Sequence, residues 1–230
     1  MTNNLKAFAK KIGIPFAEDS HLRQALVHRS YLNEHADFEL AHNERLEFLG
    51  DAVLELVVTE YLYNHYDNPE GELTNWRAAM VNGANLAKVA HTLGIEEHLY
   101  LSKGEEKETN PKARNYILAN AMEAIIGSVY IDFGWDEAKR FILAKIVSTL
   151  PEIMDKKLYI DPKSRFQEEA QSRTATTPNY KVVEETGPDH NKIFRVGVYL
   201  GKDLVAEGTG TSKQEAQIDA AKNALEAKAW

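Results

Sequence analysis

The sequence predicts two domains of different class. An all-α unit spans residues 1–155, a connector spans 156–160, and a small α+β unit of order α-β-β-β-α spans 161–230. Three observations predict this. Apolar residues recur at helical spacing through the first two thirds of the chain, between Gly and Pro stops. After Asp161-Pro162 the pattern changes to short alternating runs separated by turn residues. Charge divides at the same place. Residues 1–155 carry 15 Lys and Arg against 24 Asp and Glu, a net of −9, whereas residues 156–230 carry 12 against 11, a net of +1.

Composition bounds the function. Of the 230 residues 43% are hydrophobic, enough for real cores. No uninterrupted apolar run has the length of a membrane span, and the N-terminus lacks the apolar stretch of a secretory signal, so no membrane partner is expected. The absence of Cys excludes disulfides and thiolate zinc sites and fits a reducing cytoplasm. The His residues show no metal-protease spacing. An acidic N-terminal unit does not attract polyanions unless cations are bound to it, so the C-terminal unit is the better candidate for contacting phosphate.

In order, Leu5 to Ile12 reads as a short amphipathic helix stopped by Gly13 and Pro15. Asp19-Ser20 caps a second helix, His21 to His28. A long helix follows from His42 to Tyr66. Asp67 to Gly71 is a turn. Leu73 to Leu93 reads as one helix ending at Gly94, with Trp76, Ala79, Met80, Leu86, Val89 and Ala90 as core. Ser102 to Asn110 is a polar loop. Pro111 to Asp132 is a buried helix carrying Ile117, Leu118, Ala121, Ala124, Ile125, Val129 and Tyr130. Gly134 opens a last helix, Asp136 to Leu150, closed by Pro151. In the second unit, Pro162 to Arg173 is a helix with Phe166, Ala170 and Gln167 on one side. Asn179 to Thr186 is a strand with Tyr180, Val182 and Glu184 on one face. Lys192 to Leu200 sets Phe194, Val196, Val198 and Leu200 against Ile193, Arg195, Gly197 and Tyr199. Leu204 to Gly208 is the third strand. Ser212 to Ala229 is an Ala-rich helix.

The chemistry concentrates in Asn43 to Val58, NERLEFLGDAVLELVV. Leu46, Phe48, Leu49, Val53, Leu54, Leu56, Val57 and Val58 mark a largely buried helix, yet Glu44, Glu47 and Asp51 project within a sector of about 60°. On spacing alone they read first as a solvated stripe. On a buried helix, carboxylates need a compensating cation, and Mg²⁺ accepts a few carboxylates plus water and phosphate oxygens. In Ile117 to Asp132, Asn120 and Glu123 share a face at i, i+3. Taken alone, Glu123 fits an exposed edge as well as a ligand.

The string Glu44-Arg45-Leu46-Glu47-Phe48-Leu49-Gly50-Asp51-Ala52-Val53-Leu54 resembles the signature motif of ribonuclease III, the double-stranded RNA endonuclease family. His28-Arg29-Ser30-Tyr31, with Asn33-Glu34, is similar to a conserved loop of its catalytic domain. The segment around Asn120 and Glu123 is similar to the second conserved stretch, where an Asp and a Glu three residues later complete a metal site. Here Asn120 stands in place of the Asp, a neutral and weaker oxygen donor. The α-β-β-β-α unit resembles the double-stranded RNA-binding domain. Gln167-Glu168 falls on the helix that meets one minor groove. His190 falls in the loop that enters the next, and Thr211-Ser212-Lys213 falls at a phosphate-contacting helix start. Gln214 stands where many members carry a second Lys.

The resemblance implies a homodimeric, Mg²⁺-dependent endoribonuclease, with Mn²⁺ able to substitute. It would hydrolyse double-stranded RNA to 5′-phosphate and 3′-hydroxyl ends with staggered cuts, in processing of ribosomal, messenger or transfer RNA precursors. It implies Glu47, Asp51, Asn120 and Glu123 as metal ligands, with Asp51 and Glu123 central to catalysis. Glu44 and Glu70 would be supporting acids, and Phe48 an aromatic inserted into the partner. The alternative is a catalytically lapsed homodimeric double-stranded RNA-binding protein, which Asn120 favours and the retained acids oppose.

Overall fold

The computed structural model describes residues 5–15, 21–188 and 192–230, which form two compact units, Met1–Tyr159 and Ile160–Trp230. The division falls after Tyr159, inside the stretch expected as a connector. The Asp19-Ser20 cap and His190 lie outside the described residues.

The first unit is all helical: α1 Leu5–Ile12, α2 Leu22–Ala25, α3 Arg29–Glu34, α4 Glu44–His65, α5 Glu70–Val81, α6 Gly83–Leu93, α7 Lys103–Glu106, α8 Pro111–Lys145 and α9 Leu150–Asp155. One core runs through it, centred on α4 and α8. It contains every core position expected between Trp76 and Ala90. The stretch Pro111–Asp155, though it holds no uninterrupted apolar run of that length, is long and apolar enough to cross a membrane by length and composition alone. Its most apolar window is 61% buried inside the fold, as suits a core helix.

Several boundaries differ from the sequence reading, each for a local reason. The second helix stops at Ala25 instead of reaching His28. The backbone of Leu26 and His28 is claimed by Tyr100, whose N–H donates to Leu26 and whose carbonyl accepts from His28. His28 instead caps α3, its ring accepting from the Ser30 N–H. Glu70 and Gly71 belong to the first turn of α5 and not to a turn after α4. The long helix expected over Leu73 to Leu93 is two helices broken at Asn82. Asn82 is extended, its side-chain oxygen accepts from the Asn85 N–H, and its amide donates to the Ala79 carbonyl. One Asn therefore closes α5 and opens α6, a competition with helix that Asn side chains win readily. The polar loop contains the helical turn α7, capped by Ser102. Within α8, Gly134 has φ 82° and ψ −175°, so two helical segments meet there at the expected Gly. Pro151 does not close a helix. It occupies the first turn of α9, where its missing N–H costs nothing.

The second unit consists of α10 Pro162–Thr174, the strands β1 Pro178–Thr186, β2 Ile193–Leu200 and β3 Asp203–Gly210, and α11 Lys213–Lys228. The strands form one antiparallel sheet in the order β1-β2-β3. Phe166, Val198, Ala220, Ala221 and Ala224 form its buried core. Tyr180 and Val182 pair with the buried Val198 and Val196 on the inner face. A bulge between Val182 and Glu184 then shifts the alternation. Glu184 leaves the face of Tyr180 and Val182 and pairs with Arg195 on the open face.

Candidate active site and nucleic-acid interface

The start of α4 is fixed by Asn43. Its side chain is buried and donates to the Ala25 carbonyl, its N–H donates to Val27, and its carbonyl accepts from Leu46 and Glu47. Glu44 and Glu47 thus occupy the first turn, where the helix dipole favours negative charge.

Two glycines set the approach of α8. A Cβ on Gly50 would lie 1.8 Å from the Glu123 carbonyl oxygen, and one on Gly127 would lie 2.2 Å from the Leu46 carbonyl oxygen. The two backbones therefore touch at Gly50 and Gly127, which no other residue type permits. Glu47 and Asp51 flank Gly50 on α4, and Glu123 is part of the contacting turn of α8. The crossing brings three carboxylates from two helices into one another's field. Burial, then the charges of Asp51 and Glu47, push the Glu123 carboxyl up to about 7. Burial, then Glu44 and Asp51, raise Glu47 as well.

Several other acids along these helices are paired. Glu44 meets Arg29 at 3.2 Å, Glu55 meets Arg77 at 3.0 Å and Glu60 meets Lys139 at 2.7 Å. Glu47, Asp51, Asn120 and Glu123 make no side-chain hydrogen bond or ion pair among the described residues. The Glu47 and Glu123 carboxyls are partly buried and Asp51 stands exposed beside them; negative charges this close without a cation are a costly arrangement that a hard divalent ion relieves, so the donor set fits Mg²⁺ or Mn²⁺. As the side chains stand, no three His, Asp or Glu among the described residues converge closely enough to enclose an ion. The ligands must turn inward to do so.

The supporting residues separate. Glu44 stays beside Glu47, held by Arg29 and faced by the His42 ring at 3.7 Å. Glu70 does not join the cluster. It lies beyond the far end of α4, whose Glu47 and Tyr66 are roughly 28 Å apart along the axis. There it lines a cavity of about 740 Å³ with Thr59, Tyr63, Tyr66, Leu73 and Arg77. Beside the acids, α4 presents an exposed apolar face: Phe48 is 81% exposed, Leu56 57% and Tyr63 80%. The sequence places Phe48 and Leu56 in a largely buried helix; both are exposed instead, because they project from a side of α4 other than the one that meets α8 at Gly50. Arg29 lies in the segment that is similar to the family's loop, but its pairing with Glu44, the place of His42 and the role of Gly50 and Gly127 are not legible in the sequence, although a lone Gly inside each of two apolar helices is a signal of close backbone approach.

In the second unit Gln167 and Glu168 are exposed on α10, turned away from the buried Phe166 and Ala170. Ser212 caps α11 by accepting from the Glu215 N–H, while Glu215 accepts from the N–H and hydroxyl of Thr211. Lys213 stands exposed at the first helical position, 3.1 Å from Glu185 of β1 and over the Phe194 ring.

Comparison with known proteins agrees with this division. A Ribonuclease-III-like family model matches residues 18–150, and a double-stranded RNA binding motif matches residues 162–228. Ribonuclease 3 of Syntrophomonas wolfei is 43% identical over 93% of this chain and 90% of its own length. Ribonuclease 3 of Moorella thermoacetica is 45% identical over 96% and 94%. The crystallised nuclease domain of ribonuclease III from Campylobacter jejuni is 37% identical, with a TM-score of 0.56 over 64% of this chain and 99% of that domain. That domain is described as containing a region involved in dimer formation. A helical unit with acids gathered at a Gly–Gly crossing, followed by an α-β-β-β-α unit, thus places the chain in the ribonuclease III family.

Proposed function

We propose that this chain is a divalent-metal-dependent endoribonuclease that cuts double-stranded RNA as a homodimer, leaving 5′-phosphate and 3′-hydroxyl ends. The observation that carries the reading is the unpaired acidic group at the α4–α8 crossing, in a chain of this family. Glu47, Asp51 and Glu123 would hold the ion, with Asn120 offering its carbonyl oxygen. When bound, the ion supplies a lowered water pKa and neutralises charge on the phosphate and the departing oxygen. The chain's own residues do the rest. The α4–α8 contact fixes the carboxylates on rigid helices. Arg29 and His42 hold Glu44 at the rim, and the raised Glu47 and Glu123 favour a cation over free ionisation.

The exposed Phe48 face of α4 supports self-association. In an antiparallel pairing of α4 with its copy, Phe48 of one protomer meets the cavity at the far end of the other, and Glu70 approaches the other protomer's acids. A supporting role for Glu70 then needs the second copy. The C-terminal unit supplies affinity for A-form duplex through shape and 2′-hydroxyls, with Gln167, Glu168, Ser212 and Lys213 as contacts and His190 as a further one outside the described residues. Precursors of ribosomal, messenger and transfer RNA in the cytoplasm are the proposed substrates.

The test is cleavage of a long RNA duplex with Mg²⁺, with Mn²⁺ and with chelator, for the wild type, Glu123→Ala and Asn120→Asp. Metal-dependent cutting by the wild type, lost in Glu123→Ala, is the expected result. Asn120 favours a second reading, a duplex-binding dimer with a lapsed site. Cutting restored only in Asn120→Asp would establish that reading.

A further inference from the structure

Tyr116 is 68% exposed on α8. It has no side-chain hydrogen bond, ring contact or ion pair among the described residues. The other aromatics of α8 before Phe141 behave differently: Tyr130, Phe133 and Trp135 pack against the core. An isolated exposed Tyr is ordinary, but its position here is not. Tyr116, Asn120 and Glu123 are spaced i, i+4 and i+7, so they project within a sector of about 60°, with Tyr116 about 6 Å along the axis from Asn120. The buried side chains of the same turns, Ile117, Leu118, Ala121 and Ala124, point elsewhere into the core. Lys112 continues the row one turn earlier and is also exposed. From the acids this row leads outward along α8, over Tyr116 to Lys112, on the exposed side of the helix.

We propose that Tyr116 is a positioning residue that contacts the RNA strand beside the cut, its hydroxyl bonding a 2′-hydroxyl or phosphate oxygen and its ring lying along the ribose. The proposal rests on the nuclease reading above. Its chemistry suits the place. A cation one turn from Asn120 would be drawn into the acidic cluster and compete with the metal ion. A phenol instead offers a neutral donor and an apolar ring, which approach a polyanion without neutralising the carboxylates. A 2′-hydroxyl both donates and accepts, so this contact also favours RNA over DNA.

The test uses the full chain and a short duplex with one defined cut. Tyr116→Ala is expected to raise KM about tenfold with kcat within about twofold, the size of one lost hydrogen bond with its packing. Tyr116→Phe is expected to give about threefold, vanishing when the 2′-hydroxyl at the contacted nucleotide is replaced by hydrogen. Independently of cleavage, 4-thiouridine beside the cut is expected to crosslink to the α8 peptide containing Tyr116 under chelator. An unchanged KM with no crosslink overturns the proposal and leaves the nuclease reading standing. Failure of the wild type to cut sinks the nuclease reading, while the crosslink still decides whether Tyr116 meets RNA. A shift of Tyr116→Ala to monomer in sedimentation overturns the proposal by making Tyr116 a contact between copies.

Discussion

The two units solve opposite electrostatic problems. In the helical unit Glu47, Asp51 and Glu123 have no ion-pair partner among the described residues, and Glu47 and Glu123 are pushed toward protonation beside the close α4–α8 crossing. In the C-terminal unit several of the corresponding polar groups already have partners, while Gln167 and Glu168 stand exposed. Lys213 leans on Glu185, Ser212 and Glu215 cap α11, and Arg195 lies between Glu184 and Glu207. The difference teaches how each is used. On the proposed function, an ion would relieve the repulsion at the first site, and at the second phosphate would replace one set of partners with another.

The sharpest way to break the comparison is to part the helices. Gly50→Ala is expected to cost more than about 3 kcal/mol of stability, because the added carbon meets backbone and not a flexible side chain. Thermal unfolding and cleavage should fall together. A variant of wild-type stability would show that the crossing yields.

Glu123→Gln separates charge from shape. Glu123 is raised to about 7, so the stability it contributes is fully present below the ordinary carboxylate value and is lost as pH rises through about 7. Ion-free wild-type protein should therefore lose about 1–3 kcal/mol between pH 4.5 and 8, discounted for partial exposure. Glu123→Gln should lack that part of the loss, should not be stabilised by added Mg²⁺, and should not cut. Melting temperature against pH, with and without Mg²⁺, checks all but the last. A parallel fall in the variant would show that the repulsion lies elsewhere.

Asn120→Asp adds a fourth charge to the same face. It is expected to lower the Mg²⁺ concentration for half-maximal stabilisation about tenfold, while reducing stability without the ion. An unchanged Mg²⁺ titration would mean that residue 120 takes no part in binding.

The smallest effect belongs to the C-terminal unit. Lys213→Ala is expected to weaken duplex binding by about threefold to tenfold, alike for all sequences, and to reduce the salt slope by about one unit. Glu185→Gln should tighten binding slightly by freeing Lys213. Filter binding over a salt series distinguishes these from a loss of folding.

Much of this was legible in the residues. The long helices, the three strands, the start of α11 at Ser212 and the stop at Gly94 follow from signals within a few positions of one another. The motif around Glu47 and Asp51 and the matching segment at Glu123 named the acids before any contact was known. Other features were not legible. Asn82 splits a continuous helical pattern because its side chain competes with the backbone, and Pro151 begins a helix because the preceding turn had already ended. The bulge at Val182 reversed the face of Glu184.

The sequence by itself determined the elements, the two-unit order and the chemical identity of the candidate ligands, because periodicity, capping and residue type act locally. Only the tertiary structure decided which of those ligands share a field. It set Glu47 and Asp51 against Glu123 at the Gly50–Gly127 contact, left Glu70 at the far end of α4, and exposed Phe48 on α4 and Tyr116 on α8. Burial and charge coupling arise between residues some 70 positions apart in the chain, and no local pattern encodes that distance.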